Sequence, residues 1–362
     1  MTADHIDTDK LTGLLGRALG TDAAVTAVVS TSIGTGQVGE NVRFELEWND
    51  DDPTLPQTVV GKFPSVSEVS RATAVQLDTY VKEVGFYRDL QALVGIRTPR
   101  VYGLEWDPPT HDFVLLMEDI APARAGDQLA GADVEAARLA VDQAVGLHAP
   151  TWGHVPDDPA FGWLVGSSGP EQVTTRSKMF ELLTPGFVDR FSARLERADL
   201  ELAHSLTVMF PRWMEAVAGW AERHGGWCVV HGDFRLDNML FGEPPASPPL
   251  TVVDWQTVSV GIGPNDVAYY CGAGLLPEVR ASHERSLVER YAAGVRRHGV
   301  DIADEAVWEG YVLGSATGYF MAVLASQIVE RTERGDEMFA VMAERHADQI
   351  RTVGLLERLG VV

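Results

Sequence analysis

Apolar residues recur three and four apart at Leu11, Leu14, Leu15, Ala18 and Leu19, with Asp9 as a start signal, which predicts a short amphipathic helix over 8–19. Three β-rich runs follow, at 25–30, 42–48 and 58–63. Glycine-rich or Asp/Pro-rich breaks part them, so they predict a small antiparallel sheet. Helical spacing returns from Val75 to Leu93 through Leu77, Tyr80, Val81, Val84, Tyr87 and Leu90. A strand pair is expected at 100–106 and 113–117, turning at Asp107, Pro108 and Pro109, and the sheet then ends near Met117.

Past Glu118 the pattern is mostly helical, with helices predicted at 133–148, 185–198, 202–224, 283–299 and 304–334. Only the short apolar runs at 227–230 and 250–253 read as strands, and each leads straight into an acidic motif. Tyr311 to Val329 carries no charge, and Gly310, Gly314 and Gly318 are spaced for close helix packing. Ser315, Thr317, Ser326 and Gln327 dilute it, and Glu309 and Glu330 flank it, so it reads as a buried helix and not a membrane span. The 362 residues suit two lobes at roughly 150 residues per domain. The expected division is an α+β N-terminal lobe over 1–118 and a mostly helical lobe over 119–362.

Composition is that of a globular chain, 45% hydrophobic and 22% charged. Against 29 Lys and Arg stand 52 Asp and Glu, a net charge of −23, which disfavours a nucleic-acid partner. An acidic surface also concentrates cationic small molecules, although keeping the protein soluble is the simpler reading of the same charge. Cys228 and Cys271 lie beside apolar runs outside any metal-ligand spacing, so neither a disulfide framework nor a zinc site is expected. The first residues lack the basic-then-apolar order of a signal peptide, and the expected compartment is the cytoplasm.

The chemistry concentrates in His231-Gly232-Asp233-Phe234-Arg235-Leu236-Asp237-Asn238, directly after the Trp227–Val230 run. An Asp followed five residues later by an Asn suits phosphoryl transfer: Asp233 accepts the proton of an attacking hydroxyl, and Asn238 offers an amide oxygen to Mg²⁺. Sixteen residues beyond Asn238 a second run ends in Asp254-Trp255-Gln256. Asp254 and Asn238 with nucleotide phosphates and water would complete a magnesium shell. Either motif alone is a common turn; in this order, each after an apolar strand, they point to a catalytic site using ATP and Mg²⁺.

These motifs resemble the signature of the aminoglycoside phosphotransferase superfamily, and Asp254-Trp255-Gln256 with the upstream Phe86-Tyr87-Arg88-Asp89-Leu90 is most similar to its ecdysteroid-kinase-like branch, where Phe is usual in place of Trp255. The resemblance implies a bilobal protein-kinase-like fold and a small-molecule kinase. Gly34, Gly36 and Gly39 then fit a loop covering the phosphates between two strands, the same glycines also being what a plain hairpin would use. Lys62, in an otherwise apolar strand, is the candidate for neutralising the α/β-phosphates. Glu68, Asp78 and Glu83 all lie where its ion-pair partner is expected, and the resemblance selects Glu83. It further implies an adenine-binding hinge at the backbone of Glu118 and Ile120, and a supporting role for Asp266 under the catalytic loop. Asp237 is expected to face solvent. His148 is expected to cap its own helix and is left outside the site.

The acceptor is not encoded in these motifs. A cationic acceptor such as an aminoglycoside or amino sugar and an apolar alcohol such as a steroid both remain open, as does a nucleotide-binding regulatory protein that transfers nothing.

Overall fold

The computed structural model describes residues 2–34, 39–156, 159–164 and 169–360. α1 (Thr8–Leu19) starts at Asp7, whose carboxylate accepts the Lys10 amide, and ends at Gly20 in the left-handed region. It buries Leu11, Leu14 and Leu15 against a five-stranded antiparallel sheet. The strands are β1 (Val25–Ile33), β2 (Gly39–Trp48), β3 (Thr58–Pro64), β4 (Val101–Asp107) and β5 (Asp112–Glu118), in spatial order β1-β2-β3-β5-β4. Alternation along β5 builds two cores. Val114 and Leu116 join Phe44, Val59 and α1 on one face, while Phe113, Leu115 and Met117 turn to the other, larger core.

The single helix expected over 75–93 is broken. α2 (Glu68–Gln76) and α3 (Thr79–Gly85) are separated at Asp78, which sits at φ 57°, and Phe86–Leu90 continues as a wider π-helical turn. A short polar side chain tolerates the left-handed conformation at low cost. Periodicity misses the break because both pieces bury the same face.

The second half opens with β6 (Ala123–Ala125) and α4 (Val134–His148), followed by the long pair α5 (Pro170–Phe191) and α6 (Arg197–His224). Pro185 does not begin a helix, as expected from sequence, but lies inside α5, and Pro211 lies inside α6. An interior proline loses one helical hydrogen bond; here the two helices pack along each other, with Thr184 and Thr207 hydroxyls 2.7 Å apart. β7 (Trp227–Val230), β8 (Met239–Gly242), β9 (Thr251–Val252) and β10 (Ser259–Ile262) form small ribbons, β10 with β7 and β6-β8-β9. Then come α7 (Pro264–Gly274), α8 (Pro277–Arg297), α9 (Asp304–Gly314), α10 (Thr317–Ile328) and α11 (Glu333–Thr352).

The apolar segment expected as one helix is thus split at Ser315–Ala316, and no described helix is long and apolar enough to cross a membrane. Its glycines serve contact: a methyl group on Gly310 would meet the Trp220 ring at 2.9 Å.

Under α7 lies a buried polar knot. His346 Nδ1 meets Gln349 Oε1 at 3.0 Å, and the Gln349 amide donates to the Ala268 carbonyl and the Tyr311 hydroxyl. Burial pulls the His346 imidazole down from 6.5 to about 4, so it is neutral in the fold. Because the unfolded chain takes up this proton first, stability is expected to fall as pH drops from 6.5 toward 4, by about 3 kcal/mol from this group. Urea denaturation across that range checks it: His346→Gln should lose this share of the slope, and an unchanged slope would exclude His346 as its source.

Candidate functional site

β7 delivers His231 to the floor of the cleft, and the turn that follows is held from below. Asp266, 1% exposed in the first turn of α7, accepts the amide hydrogens of His231 at 2.7 Å and Gly232 at 3.1 Å. It also bonds His148 Nε2 at 3.1 Å, and His148 Nδ1 meets the Tyr291 hydroxyl at 2.9 Å. His148 therefore does not cap its own helix; it is fully buried as a strut beneath the loop. Gly232 stands at φ 80°, where a Cβ would lie 2.7 Å from the Thr257 carbonyl oxygen, so the turn admits only glycine. Asp266→Ala strands the buried His231 amide, the half-buried Gly232 amide and the buried His148 ring, and is expected to cost about 3 kcal/mol. A urea midpoint equal to the wild type would refute the strut.

His231 reaches across the site. Its Nδ1 accepts the Asp233 amide at 3.3 Å, which leaves Nε2–H to donate to the Val253 carbonyl at 3.1 Å. Asp233 carries the densest set of donors in the cleft: the Tyr269 hydroxyl on Oδ1 at 2.6 Å, Arg235 Nε at 3.1 and 2.9 Å from the two oxygens, and Asn238 Nδ2 on Oδ2 at 3.0 Å. Asn238 also donates to the Asp233 carbonyl, so its amide nitrogen is spent on the loop and its amide oxygen is left for another ligand. Asp237 is not solvent-facing as expected: it binds Arg235 at 2.7 Å and Arg334 at 3.2 Å, and accepts the Gln128 amide.

The Val253 amide donates to the Asn238 carbonyl at 3.0 Å, which sets Asp254 beside Asn238. Asp254 stands at φ 69°, and its Oδ1 accepts Lys62 Nζ at 3.0 Å. Lys62, buried in β3, is 2.7 Å from Glu83 Oε1 of α3. Of the three acids compatible with sequence, Glu83 is the one paired. Burial works against the Lys62 charge, but Asp254 and Glu83 together outweigh it and raise its pKa. Burial likewise opposes the Asp254 charge, and Lys62, with Arg235 and His231 behind it, holds this carboxyl below its usual range. For Glu83 burial prevails and pushes the carboxyl up.

The lobes are locked by rings as well as charges. Trp255 is stacked on Phe86 with centroids 3.5 Å apart and planes 1° from parallel, and its other neighbour is His231 at 4.6 Å. Trp255 thus ties the turn that follows α3 to the turn at His231.

Gly39 lies over the same corner: a Cβ there would be 3.0 Å from the Phe63 carbonyl oxygen and 3.5 Å from Lys62 Cε. Gly34 ends β1 at φ 76°, and Gly36 lies outside the described residues. At the interlobe connection the Glu118 amide is taken by the Arg100 carbonyl and its carboxylate by Arg97 at 2.6 Å. Among the described residues the backbone of Ile120 has no hydrogen-bond partner, and next to it Arg43 grips Asp119 at 2.7 and 2.9 Å.

No cluster of three or more His, Cys, Asp or Glu able to hold a metal occurs among the described residues. The donor set still fits Mg²⁺: the Asp254 side chain is 36% exposed with one oxygen committed to Lys62, and Asn238, whose main-chain carbonyl takes the Val253 amide, has its side-chain oxygen uncommitted. Two protein oxygens are the number that a phosphate-bridged magnesium uses. Sequence reasoning missed Tyr269 and Arg235 as partners of Asp233. Arg235 lies inside the motif itself, and Tyr269 three residues past Asp266, one turn along the same helix face.

The model of the phosphotransferase enzyme family matches residues 69–301, well over half of the chain. Among solved structures, choline kinase from Cryptosporidium parvum Iowa II superposes with a TM-score of 0.54 at 11% identity, over 98% of each chain. A microcompartment-associated aminopropanol kinase gives 0.54 at 12%, over 95% of this chain and 98% of that one. Wild-type aminoglycoside 2'-phosphotransferase-IIIa in its GDP complex gives 0.51 at 15%, over 95% and 100%. At these identities the likeness is one of fold, bilobal and kinase-like. Among curated proteins, acyl-CoA dehydrogenase family member 10 of Mus musculus is 50% identical over 48 residues, 13% of this chain; the match spans only 4% of that relative.

Proposed function

The chain belongs to the phosphotransferase enzyme family, and from that premise we propose that it transfers the γ-phosphoryl group of ATP to a hydroxyl of a small molecule in a Mg²⁺-dependent reaction. The observation that carries this reading is the pairing of Lys62 with Asp254 and of Asn238 with Asp233, the two pairs joined by the Val253 amide on the Asn238 carbonyl; a cation, an amide and two carboxylates so grouped suit phosphate neutralisation, metal binding and proton acceptance.

In this account residues 1–118 hold the nucleotide and residues 119–362 the catalytic loop and the acceptor. Gly34, Gly36 and Gly39 cover the phosphates, Lys62 braced by Glu83 neutralises them, and the backbone at Glu118 and Ile120 meets the adenine edge. The free backbone groups of Ile120 support that last role more than the Glu118 amide, which Arg100 already occupies. Asp254 and Asn238 would hold the metal, which when bound would supply neutralisation of the phosphate charge. Asp233 orients the acceptor hydroxyl and takes its proton. The O–P bond to the acceptor forms as the bond from the γ-phosphorus to the bridging oxygen breaks, and that electron pair leaves on ADP.

The acceptor belongs to the same class as the small hydroxyl compounds that the family modifies, with the net charge of −23 favouring a cationic one over an apolar alcohol of the ecdysteroid-kinase-like kind. The cytoplasm is the compartment that supplies ATP for it.

The test is ADP release by the purified chain with Mg-ATP against pools of aminoglycosides, amino sugars, choline-like amines, amino acids and sterols. Release that depends on one pool and disappears in Asp233→Ala is the expected result. Mg-ATP binding with no pool-dependent release would favour a regulatory nucleotide-binding protein.

A further inference from the structure

α7 presents two side chains, one turn apart, to a single loop. Asp266 holds the backbone of His231 and Gly232, and three residues on the Tyr269 hydroxyl donates to Asp233 Oδ1 at 2.6 Å. Positions three apart share a helix face, so one rigid element grips both the main chain beneath the base and the base itself. Tyr269 is fully buried against the core, and burial, then the Asp233 charge, keep its hydroxyl protonated well above its ordinary range. It is a permanent donor.

We propose, resting on the phosphotransferase reading above, that Tyr269 is a positioning residue for the catalytic base, fixing the plane of the Asp233 carboxylate so that one lone pair faces the acceptor hydroxyl. An ionised carboxylate offers about four lone-pair directions. Tyr269 fills one on Oδ1 and Asn238 one on Oδ2, while the single Arg235 Nε hydrogen is shared between the two oxygens. With Tyr269 and Asn238 each fixing one oxygen, the divided Arg235 bond is the one whose place an acceptor hydroxyl can take. Of the three donors only Tyr269 comes from another element, α7: Asn238 and Arg235 both belong to the segment that carries Asp233. Without the Tyr269 hydroxyl the carboxylate is free to turn onto Arg235, and the lone pair meant for the acceptor turns with it.

A built-in control sits next door. Tyr270 is equally buried on the same helix, and its hydroxyl has no hydrogen-bond partner among the described residues. The experiment compares Tyr269→Phe with Tyr270→Phe in the full chain, measuring ADP release with Mg-ATP and the acceptor pool found active. Tyr269→Phe should lower kcat about 10- to 100-fold with KM for ATP shifted less than about twofold, the size expected when a group orienting a reactive residue is lost. Tyr270→Phe should leave kcat unchanged.

A loss of kcat equal in both variants, or none in Tyr269→Phe, overturns the proposal while leaving the phosphotransferase reading intact. If Asp233→Ala itself retains release, or the wild type releases nothing with any pool, that parent reading fails and takes this one with it. A double-mutant cycle in urea gives a second, activity-free check: Tyr269→Phe should shift the midpoint in the wild type and not in Asp233→Ala. Equal shifts in both backgrounds would show that the two side chains do not act together.

Discussion

Asp233→Ala is expected to lower turnover by about 10²- to 10⁴-fold, the range that proton transfer by a positioned side chain contributes, while leaving nucleotide binding within about threefold of the wild type. The separation follows from where the carboxylate's partners lie. Asp233 bonds Tyr269, Arg235 and Asn238, whereas Lys62, the proposed phosphate contact, is paired with Asp254 and Glu83. Removing the Asp233 carboxylate therefore leaves Arg235 held by Asp237 and the Asn238 amide held by the main-chain carbonyl at position 233, and leaves the Lys62 cluster assembled. Asp233→Asn is a companion variant that preserves volume and one acceptor for Tyr269 while removing the ability to take a proton, although it also turns an amide NH2 toward the Asn238 and Arg235 donors. Both effects are read from kcat, KM for ATP and a direct titration with a fluorescent ATP analogue. Equal losses in turnover and nucleotide affinity would mean that Asp233 serves binding and not proton transfer.

Asp254→Ala is expected to do what Asp233→Ala does not: weaken Mg-nucleotide binding by about 10- to 100-fold or more, and reduce turnover with it. Two consequences add. One of the two proteinaceous oxygens proposed for the metal is lost, and Lys62 is left with Glu83 alone. Because Asp254 and Glu83 together keep Lys62 charged against burial, removing one turns part of that balance toward desolvation. The diagnostic readout is the magnesium dependence of nucleotide binding. In the wild type affinity should rise with Mg²⁺, whereas in Asp254→Ala it should be weak and nearly flat. A full magnesium response in that variant would remove Asp254 from the metal site.

How far these residues could be reached from sequence depends on whether the signal was local. The helix at 8–19 was legible because one face is buried, which writes a period into the chain, and the strands of the N-terminal sheet because β-rich runs lie between glycine-rich or Asp/Pro-rich breaks. Asp233, Asn238 and Asp254 were legible because their spacing and the strands before them are contiguous in sequence. Lys62 stood out as a charge in an apolar strand. What was not legible depends on contacts between distant segments. Pro185 looks like a helix start, since nothing local reveals that α6 lies along α5. The break at Asp78 is invisible to periodicity because α2 and α3 bury the same side. Helix α7 went unread, and with it the fact that Asp266 and Tyr269 share a face. His148 was assigned to its own helix end, yet its partners, Asp266 and Tyr291, are more than a hundred residues away. Asp237 was assigned to solvent because neither Arg334 nor Gln128 is near it in sequence.

The most direct test of the central claim follows the phosphorus. The 362-residue chain is incubated with Mg-ATP labelled at the γ-phosphoryl group and with the acceptor pools, and the label is traced after the protein is removed. The account predicts label on a small hydroxyl compound from one pool, with none when Asp233→Ala replaces the wild type. Label that stays in ATP with every pool, or appears as the same product with Asp233→Ala, would contradict it.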